Sequence, residues 1–205
     1  MRELTQKEIA SLGFTLRVGP LGNRRLLWEW IQPVSESDLD YLMADEPEPD
    51  RLIKSTPDWS NPLRVRNWVA KHTDYISDSK LWGQVEHWPD PGQVIEHARD
   101  DCDGLGILTA SILFSFAVKG VRLTLGTYQG GGHMWVEYWP ELGPARLLET
   151  TGDDQVDALP LAADCVEYVP SMQAERTGPH ASRIWVTDEQ YEFWQKVGWV
   201  GRRNA

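Results

Sequence analysis

One stretch of this 205-residue chain restricts the possible folds more than any other, an apolar segment that begins at Cys102. Its apolar residues recur at the three- and four-residue spacing of one helix face, at Leu105, Leu108, Ile112 and Phe116. The pattern predicts a buried amphipathic helix over about residues 102–118, with Asp100 or Asp101 as its N-cap. Cys102 then lies in the first helical turn, where free backbone N–H groups and the helix dipole favour a thiolate.

A β-hairpin is predicted directly after this helix. Residues 121–128 are rich in β-branched and aromatic side chains, residues 129–132 supply the glycines of a turn, and residues 133–139 alternate again. His133 opens the second strand. The period of two places it on one face of the strand with Trp135, Glu137 and Trp139.

A third strand, over residues 145–151, would lie next to the strand of His133 in a meander. Glu149 on this strand could then reach the imidazole, fix its tautomer and stabilise the imidazolium. Cys102, His133 and Glu149 therefore supply a thiol, a base and a carboxylate in an order that nucleophilic catalysis uses.

The charge around Cys102 is mixed. The acidic neighbours Asp101 and Asp103 raise a thiol pKa, whereas the helix dipole and a hydrogen-bonded His133 lower it. We expect the pair with His133 to prevail, because it acts at contact while exposed carboxylates are screened. The alternative is a buried cysteine that packs as a small hydrophobic residue.

Three segments of the chain resemble the transglutaminase-like superfamily of papain-type cysteine enzymes, in particular its small microbial cysteine peptidases. They are DCDGLGILTASIL (101–113), GHMWVEYW (132–139) and LLETT (147–151). The resemblance spans about residues 75–151 and implies an α+β fold in which an N-terminal Cys helix packs on an antiparallel β-sheet. Members of the family usually carry Asp where this chain has Glu149, so Asp153 and Asp154 are alternatives for the third catalytic residue.

The resemblance also implies a reaction, in which Cys102 attacks a carboxamide or peptide carbonyl and His133 protonates the departing amine. Water or a second amine then resolves the thioester. The backbone N–H of Cys102 is one candidate donor to the oxyanion, and the side-chain candidates are Trp88, Gln84 and Gln93. Trp135 and Trp139 are candidates for binding an extended peptide, with core packing as the alternative for each indole.

Three functions fit these residues. The favoured one is a thiol hydrolase, a peptidase or deamidase, that cleaves peptide or glutamine amide bonds of a protein or peptide substrate through a Cys thioester. The second is an amine-accepting protein-glutamine transglutaminase, which differs only in how the amine is admitted. The third is a catalytically silent protein that uses the fold for binding or assembly, and the intact Cys, His and carboxylate set argues against it.

Length and charge limit the remaining possibilities. A chain of 205 residues and 23.4 kDa suits a single domain, with a catalytic core at about residues 62–170, an N-terminal hairpin and a C-terminal strand and helix. A formal net charge of −11 argues against a nucleic-acid partner. The chain has no apolar run of membrane-spanning length and no signal-peptide pattern, so we expect a cytoplasmic protein without a membrane partner.

Metal and cofactor sites are not expected. His72, His87 and His97 lack the close, regular spacing of a zinc-ligand pair. Cys102 and Cys165 are the only cysteines, which gives no disulfide framework. Cys165 is predicted to pack in a strand over residues 164–169.

The flanks are predicted in outline. Towards the N-terminus we expect a short helix ending near residue 13, then a hairpin of residues 14–18 and 24–32, and an exposed acidic loop at residues 35–50. The remaining predictions are a helix over residues 62–72, a strand over 183–187 and a helix over 188–197.

Overall fold

The computed structural model describes residues 1–12, 17–18, 25–42, 58–152 and 154–203. Its centre is a six-stranded antiparallel sheet. In spatial order the strands are β1 (Arg2–Glu3), β10 (Ala181–Val186), β9 (Tyr168–Gly178), β6 (Val121–Tyr128), β7 (Gly131–Tyr138) and β8 (Arg146–Leu148). Two short pairs lie outside this sheet, antiparallel β2 (Arg17–Val18) with β3 (Arg25–Leu26) and parallel β4 (Asp74–Tyr75) with β5 (Arg99–Asp100).

The part of the chain that the structure describes contains seven α-helices. They are α1 (Gln6–Leu12), α2 (Glu36–Leu42), α3 (Pro62–His72), α4 (Asp78–Leu81), α5 (Pro91–His97), α6 (Cys102–Ser115) and α7 (Asp188–Arg203). Helix α6 is the most deeply buried, and it packs against β6 and β7 on one side and against α3 and α5 on others. The nucleophile candidate therefore stands at the end of the central helix of the core.

Helix α6 begins at Cys102 because the side chain of Asp101 accepts the backbone N–H of Asp103 and caps the first turn. The helix ends at Ser115, and Ala117 then takes a left-handed conformation with a φ of 59°. The predicted helix is confirmed, with its C-terminal end at Ser115 rather than near residue 118.

Two glycines let α6 approach its neighbours closely. A Cβ atom on Gly106 would lie 3.4 Å from the side chain of Met134 and 3.5 Å from that of Leu123, so the helix backbone rests almost directly on β6 and β7. Gly104 has less room still, since a Cβ atom there would lie 2.5 Å from the side chain of Asp100. Close packing of this kind fixes the distance between the helix and the strand that carries His133.

The predicted hairpin and third strand are confirmed. Val121 pairs with Tyr138 at one end of β6 and β7, and Tyr128 pairs with Gly131 at the turn. Strand β8 lies beside β7, with Leu148 opposite Val136, and is shorter than predicted. The residue that follows β8 is Glu149, which brings it to the edge of the sheet next to the His133 strand.

Several flanking predictions are also confirmed. Helix α1 ends at Leu12, helix α3 covers residues 62–72, and a strand and helix close the chain as β10 and α7. The pairing of β2 with β3 agrees with the predicted N-terminal hairpin, although residues 13–16 and 19–24 lie outside the described residues. None of the described helices is long and apolar enough to cross a membrane.

Three local predictions are wrong. Cys165 does not lie in a strand, because it caps a 3-10 helix of Ala162–Asp164 that precedes β9. Residues 27–30 form a 3-10 helix instead of continuing the hairpin, which buries Leu27 and Trp30 in the core. Much of the first half of the predicted acidic loop is helix α2, in which Leu39 is fully buried, and residues 43–50 of that loop lie outside the described residues.

Candidate active site

Cys102 and His133 line the same surface cavity, which has a volume of about 420 Å³. The start of α6 forms one wall, and the ends of β6, β7 and β9 nearest that start form another. The remaining lining residues are Tyr75, Glu86, Trp88, Asp101, Asp103, Leu125, Gly126, Gly132, Met134 and Ser171. The fold thus joins the two residues that sequence patterns placed on separate elements.

The Cys102 thiol is largely enclosed and sits among acidic groups. Its Sγ atom lies 3.9 Å from Oδ1 of Asp103, and the backbone N–H of Met134 points towards the sulfur. Burial, followed by the charge of Asp103, raises the pKa of the thiol above its ordinary value, and the Met134 N–H only partly offsets this. The expectation of a low thiol pKa is therefore wrong for the arrangement described, because burial and Asp103 outweigh the hydrogen bond from the Met134 N–H.

His133 and Glu149 form a direct pair. Nε2 of the imidazole lies 2.7 Å from Oε2 of Glu149, and the two side chains are 11% and 20% exposed. The other carboxylate oxygen, Oε1, accepts the backbone N–H of Thr151 at 2.8 Å and its hydroxyl at 2.7 Å. Burial alone would raise the pKa of Glu149, but the hydrogen bonds from His133 and Thr151 hold that pKa below its ordinary value.

This geometry assigns a role to each ring nitrogen of the imidazole. Because Nε2 is bonded to Glu149, Nδ1 is the ring nitrogen left to exchange a proton with a group in the cavity. The alternative partner Asp154 contributes its backbone carbonyl to Arg66 instead, and Asp153 lies outside the described residues. Among the described carboxylates, Glu149 is the one bonded to His133.

Two tyrosines join Trp135 in an aromatic cluster around His133, and sequence reasoning did not find them. The ring centroids of Tyr128, Tyr168 and Trp135 lie 5.5, 5.9 and 6.0 Å from that of the imidazole. The Tyr168 phenol also lies close to Glu149, and burial together with this carboxylate raises the pKa of the phenol. Tyr168 opens β9, and no pattern in the sequence links it to the other two strands.

A buried arginine anchors the segment that carries Glu149. Arg66 of α3 is 6% exposed, and its Nε atom donates to the backbone carbonyl of Glu149 at 2.6 Å. The same guanidinium donates to the backbone carbonyl of Asp154. Sequence reasoning missed this residue, because an arginine on a mixed basic and apolar helix has the pattern of an exposed one.

Two of the tryptophans predicted to bind substrate do not line this cavity. Trp135 is 1% exposed, and its indole N–H donates to Glu137 at 3.2 Å, so it packs in the sheet. Trp139 is 40% exposed, but it lies at the far end of β7 and lines a different cavity. The structure thus places neither indole in the Cys102 cavity, because the period of a strand gives the face of a side chain and not its position along the sheet.

The candidate donors to an oxyanion differ in their position and in their hydrogen-bond partners. Trp88 lines the cavity, but its indole N–H donates to the carboxylate of Glu86 at 2.7 Å. Gln84 is exposed and is not among the lining residues, and Gln93 accepts the N–H of Asp90 at the start of α5. The backbone N–H of Cys102 has no acceptor in the described part of the chain, which leaves it as the donor best placed for an oxyanion.

Four aspartates converge beside the thiol. The carboxylate oxygens of Asp78, Asp100 and Asp101 lie within 4.8 Å of one another, and Asp101 forms a second such group with Cys102 and Asp103. Burial raises the pKa of Asp78 to about 6 and that of Asp100 to about 7. Oδ1 of Asp78 and Oδ2 of Asp103 are buried without a hydrogen-bond partner, which is costly for a carboxylate.

By sequence, the chain matches no family model and no curated protein. Its fold is similar to that of LapG from Legionella pneumophila. EGTA-treated LapG aligns with a TM-score of 0.53 and 13% identity, over 82% of this chain and 99% of LapG. Calcium-bound LapG aligns with a TM-score of 0.51 and 13% identity, over 78% of this chain and 97% of LapG.

The chain therefore has the papain-like, transglutaminase-like α+β fold that its sequence segments predict. A third LapG structure, at 14% identity and a TM-score of 0.53, over 82% of this chain and 99% of LapG, agrees with this assignment. Identity at this level establishes the fold alone. The reaction that the site can catalyse depends on the side chains of this chain.

Proposed function

We propose that this protein is a cysteine hydrolase that cleaves peptide or glutamine amide bonds. Cys102 is the nucleophile, His133 the general base and acid, and Glu149 the carboxylate that orients the imidazole. One observation carries the proposal: the 2.7 Å pair of His133 and Glu149 faces the cavity into which a helix-initiating cysteine opens. A cysteine that only fills space in the core does not require an oriented imidazole beside it.

The reaction would proceed in two halves. The proton of Cys102 Sγ passes to Nδ1 of His133 as the sulfur attacks the substrate carbonyl carbon, and the backbone N–H of Cys102 donates to the oxyanion. The intermediate collapses, His133 protonates the departing amine, and a thioester remains. Water then gives a proton to His133 and attacks the thioester, which releases a carboxylic acid and restores the thiol.

The decisive test is a search for cleavage and deamidation in a mixed peptide library, read by mass spectrometry. Wild-type protein and Cys165→Ala should yield the same products, whereas Cys102→Ala and His133→Ala should yield none. A parallel reaction with a labelled primary amine tests the transglutaminase alternative. Faster incorporation of amine than release of acid would overturn the hydrolase proposal, and activity that survives in Cys102→Ala would overturn the assignment of the nucleophile.

We also propose that the four aspartates beside Cys102 bind a calcium ion. The residues that would hold it are Asp78, Asp100, Asp101 and Asp103, and the two unpartnered buried oxygens fit a cation that accepts several carboxylate ligands. LapG, which shares the fold, has been obtained in a calcium-bound form. A bound cation would supply positive charge next to the carboxylates that crowd the thiol.

Thermal unfolding tests this second proposal without an activity assay. Calcium should raise the melting temperature of wild-type protein in a concentration-dependent way, and EGTA should reverse it. Asp78→Asn should abolish the response, while Asp74→Asn, at an exposed position four residues away, should retain it. A melting temperature that calcium leaves unchanged at millimolar concentration would contradict the proposal.

A further inference from the structure

A second cavity, of about 660 Å³, lies at the end of the sheet remote from Cys102. It surrounds Gly120, between the end of α6 and the start of β6, and shares no lining residue with the Cys102 cavity. Four of its lining residues are cationic and two are acidic: Lys119, Arg122, Arg176 and Arg183 against Glu141 and Glu175. A local excess of positive charge is unusual in a chain with a net charge of −11.

Arg122 is held in one orientation by two indoles. Its Cζ atom lies 4.1 Å from the ring centroid of Trp139 and 3.6 Å from that of Trp185. Nη1 donates to Oε1 of Gln173 at 3.1 Å, and Nε is buried without a partner. Since both faces of the guanidinium are covered, a ligand can reach it only through its in-plane N–H groups, the edge that carboxylates bind.

Arg176 is also charged without a carboxylate partner. Its N–H groups donate to the backbone carbonyls of Ile31, Gly178 and Pro179, and its guanidinium lies over the ring of Phe114. Neither Arg176 nor Arg122 makes an ion pair with any described residue. Burial lowers the pKa of both guanidinium groups, and for Arg122 the charges of Glu175 and Glu137 offset this only in part.

The carboxylates that act on Arg122 are already engaged. The oxygens of Glu137, its partner across the strands, accept the indole N–H groups of Trp135 and Trp139. Oε1 of Glu175 accepts the backbone N–H of Gly120 at 2.9 Å, and Oε2 lies 3.8 Å from Arg183. Arg183 in turn is bonded through two nitrogens to Glu3, at 2.8 and 2.7 Å. The cavity therefore has two guanidinium groups without an ion pair, and its second acidic lining residue is Glu141.

The end of α6 does not cancel this positive charge. The carbonyl of Leu113 accepts the N–H of Val118 at 3.0 Å, and that of Phe114 accepts the N–H of Ala117 at 3.1 Å. These bonds satisfy carbonyls that would otherwise form the negative end of the helix dipole. An anion in the cavity would therefore interact with the guanidinium groups rather than with free carbonyls at the end of the helix.

We propose that this cavity binds a peptide carboxylate that lies next to an apolar or aromatic side chain. The carboxylate would accept hydrogen bonds from Arg122 and offset the charge of Arg176. The neighbouring side chain would pack on Trp139, whose ring is 40% exposed at the cavity mouth. The site is separate from the Cys102 cavity and does not depend on the proposed hydrolase activity.

Three short peptides distinguish the possible sources of the carboxylate: acetyl-Ala-Phe with a free C-terminus, its C-terminal amide, and acetyl-Glu-Phe amide. Binding is measured by NMR shifts of the Trp139 and Trp185 indole N–H signals and by calorimetry. We expect the free acid or the Glu peptide to bind and the plain amide not to bind. Equal binding of the amide would overturn the proposal. So would the absence of a shift with every peptide at about 10 mM, a concentration that would reveal even a dissociation constant in the millimolar range.

Variants locate the binding. Arg122→Gln should weaken the binding of the acid at least tenfold, and Arg122→Lys should weaken it less, because the charge remains without the planar fork. Arg64→Gln, at an exposed position on α3 outside the cavity, should bind as wild type does. If Arg122→Gln does not fold, Trp139→Ala tests the same site, and wild-type affinity in that variant would count against the proposal.

Discussion

Oε2 of Glu149 lies 2.7 Å from Nε2 of His133. The glutamate side chain, one methylene longer than the aspartate that the sequence resemblance led us to expect, thus reaches the imidazole from the end of β8. Glu149→Gln should lower kcat/KM by about 10³- to 10⁴-fold, because the amide N–H₂ group favours the wrong imidazole tautomer. Glu149→Asp should retain more activity, since it keeps the charge but is one methylene short. Steady-state hydrolysis of a peptide substrate measures both, with exposed Glu192→Gln as the control.

The hydroxyl of Thr151 should set the acid limit of activity. It donates to Oε1 of Glu149 at 2.7 Å and helps to keep the pKa of that carboxyl below its ordinary value. Thr151→Val removes this donor, so the pKa of Glu149 rises and the acid limb of kcat/KM moves to higher pH. Thr177→Val, at an exposed position, should leave the profile in place, and an unmoved limb in Thr151→Val would show that Glu149 does not control it.

Two glycines of the Cys102 cavity should respond differently to alanine. A Cβ atom on Gly126 would lie 2.1 Å from the carbonyl oxygen of Val169 and 2.7 Å from the ring of Trp135, whereas one on Gly132 would meet nothing within 4 Å. Gly126→Ala should therefore lower the free energy of unfolding by roughly 1–3 kcal/mol. Gly132→Ala should change it by less than about 0.5 kcal/mol. Urea denaturation of both variants measures the difference, and equal stability would contradict it.

The N-terminal segment should lose stability in acid through Glu8. Its carboxylate accepts hydrogen bonds from Arg2, Thr5 and Tyr191, which together lower its pKa to about 2, with Arg2 as the largest cause. A lowered folded-state pKa means that the stabilisation is complete above the ordinary value of 4.5 and is lost as pH falls towards 2.

The difference in free energy of unfolding between wild type and Glu8→Gln should therefore shrink over that interval. Urea denaturation at a series of pH values measures it. Glu192→Gln, at an exposed position on α7, provides the matched control and should show no such trend. A constant difference from pH 6 to pH 2.5 would show that the Glu8 contacts do not depend on its charge.

Local patterns in the sequence were sufficient for the elements that carry the catalytic residues. The period of α6, the turn glycines before His133 and the short connection to β8 depend on residues close together in the chain, which is why Cys102, His133 and Glu149 were found. Glu149 needed one further step, the assumption that consecutive strands lie side by side, and the pairing of β7 with β8 confirms that step.

Contacts between distant segments were not predictable in this way. Arg66 meets the carbonyl of Glu149 across 83 positions of sequence, and Tyr168 arrives from a strand that pairs with β6 and not with β7 or β8. Asp78 likewise meets Asp100 and Asp101 where β4 and β5 pair beside α6. The raised pKa of the Cys102 thiol follows from burial, which spacing in the sequence does not report.

The position of β9 has a consequence for biosynthesis. Strands β6 to β8 are adjacent in sequence, but β9 inserts beside β6 and supplies Ser171 to the wall of the Cys102 cavity and Tyr168 to the Glu149 carboxylate. A nascent chain that has emerged only as far as residue 150 therefore carries all three side chains proposed to be catalytic without the strand that encloses them. Competence for amide cleavage would arise late in translation, after the last quarter of the chain has left the ribosome and β9 has docked.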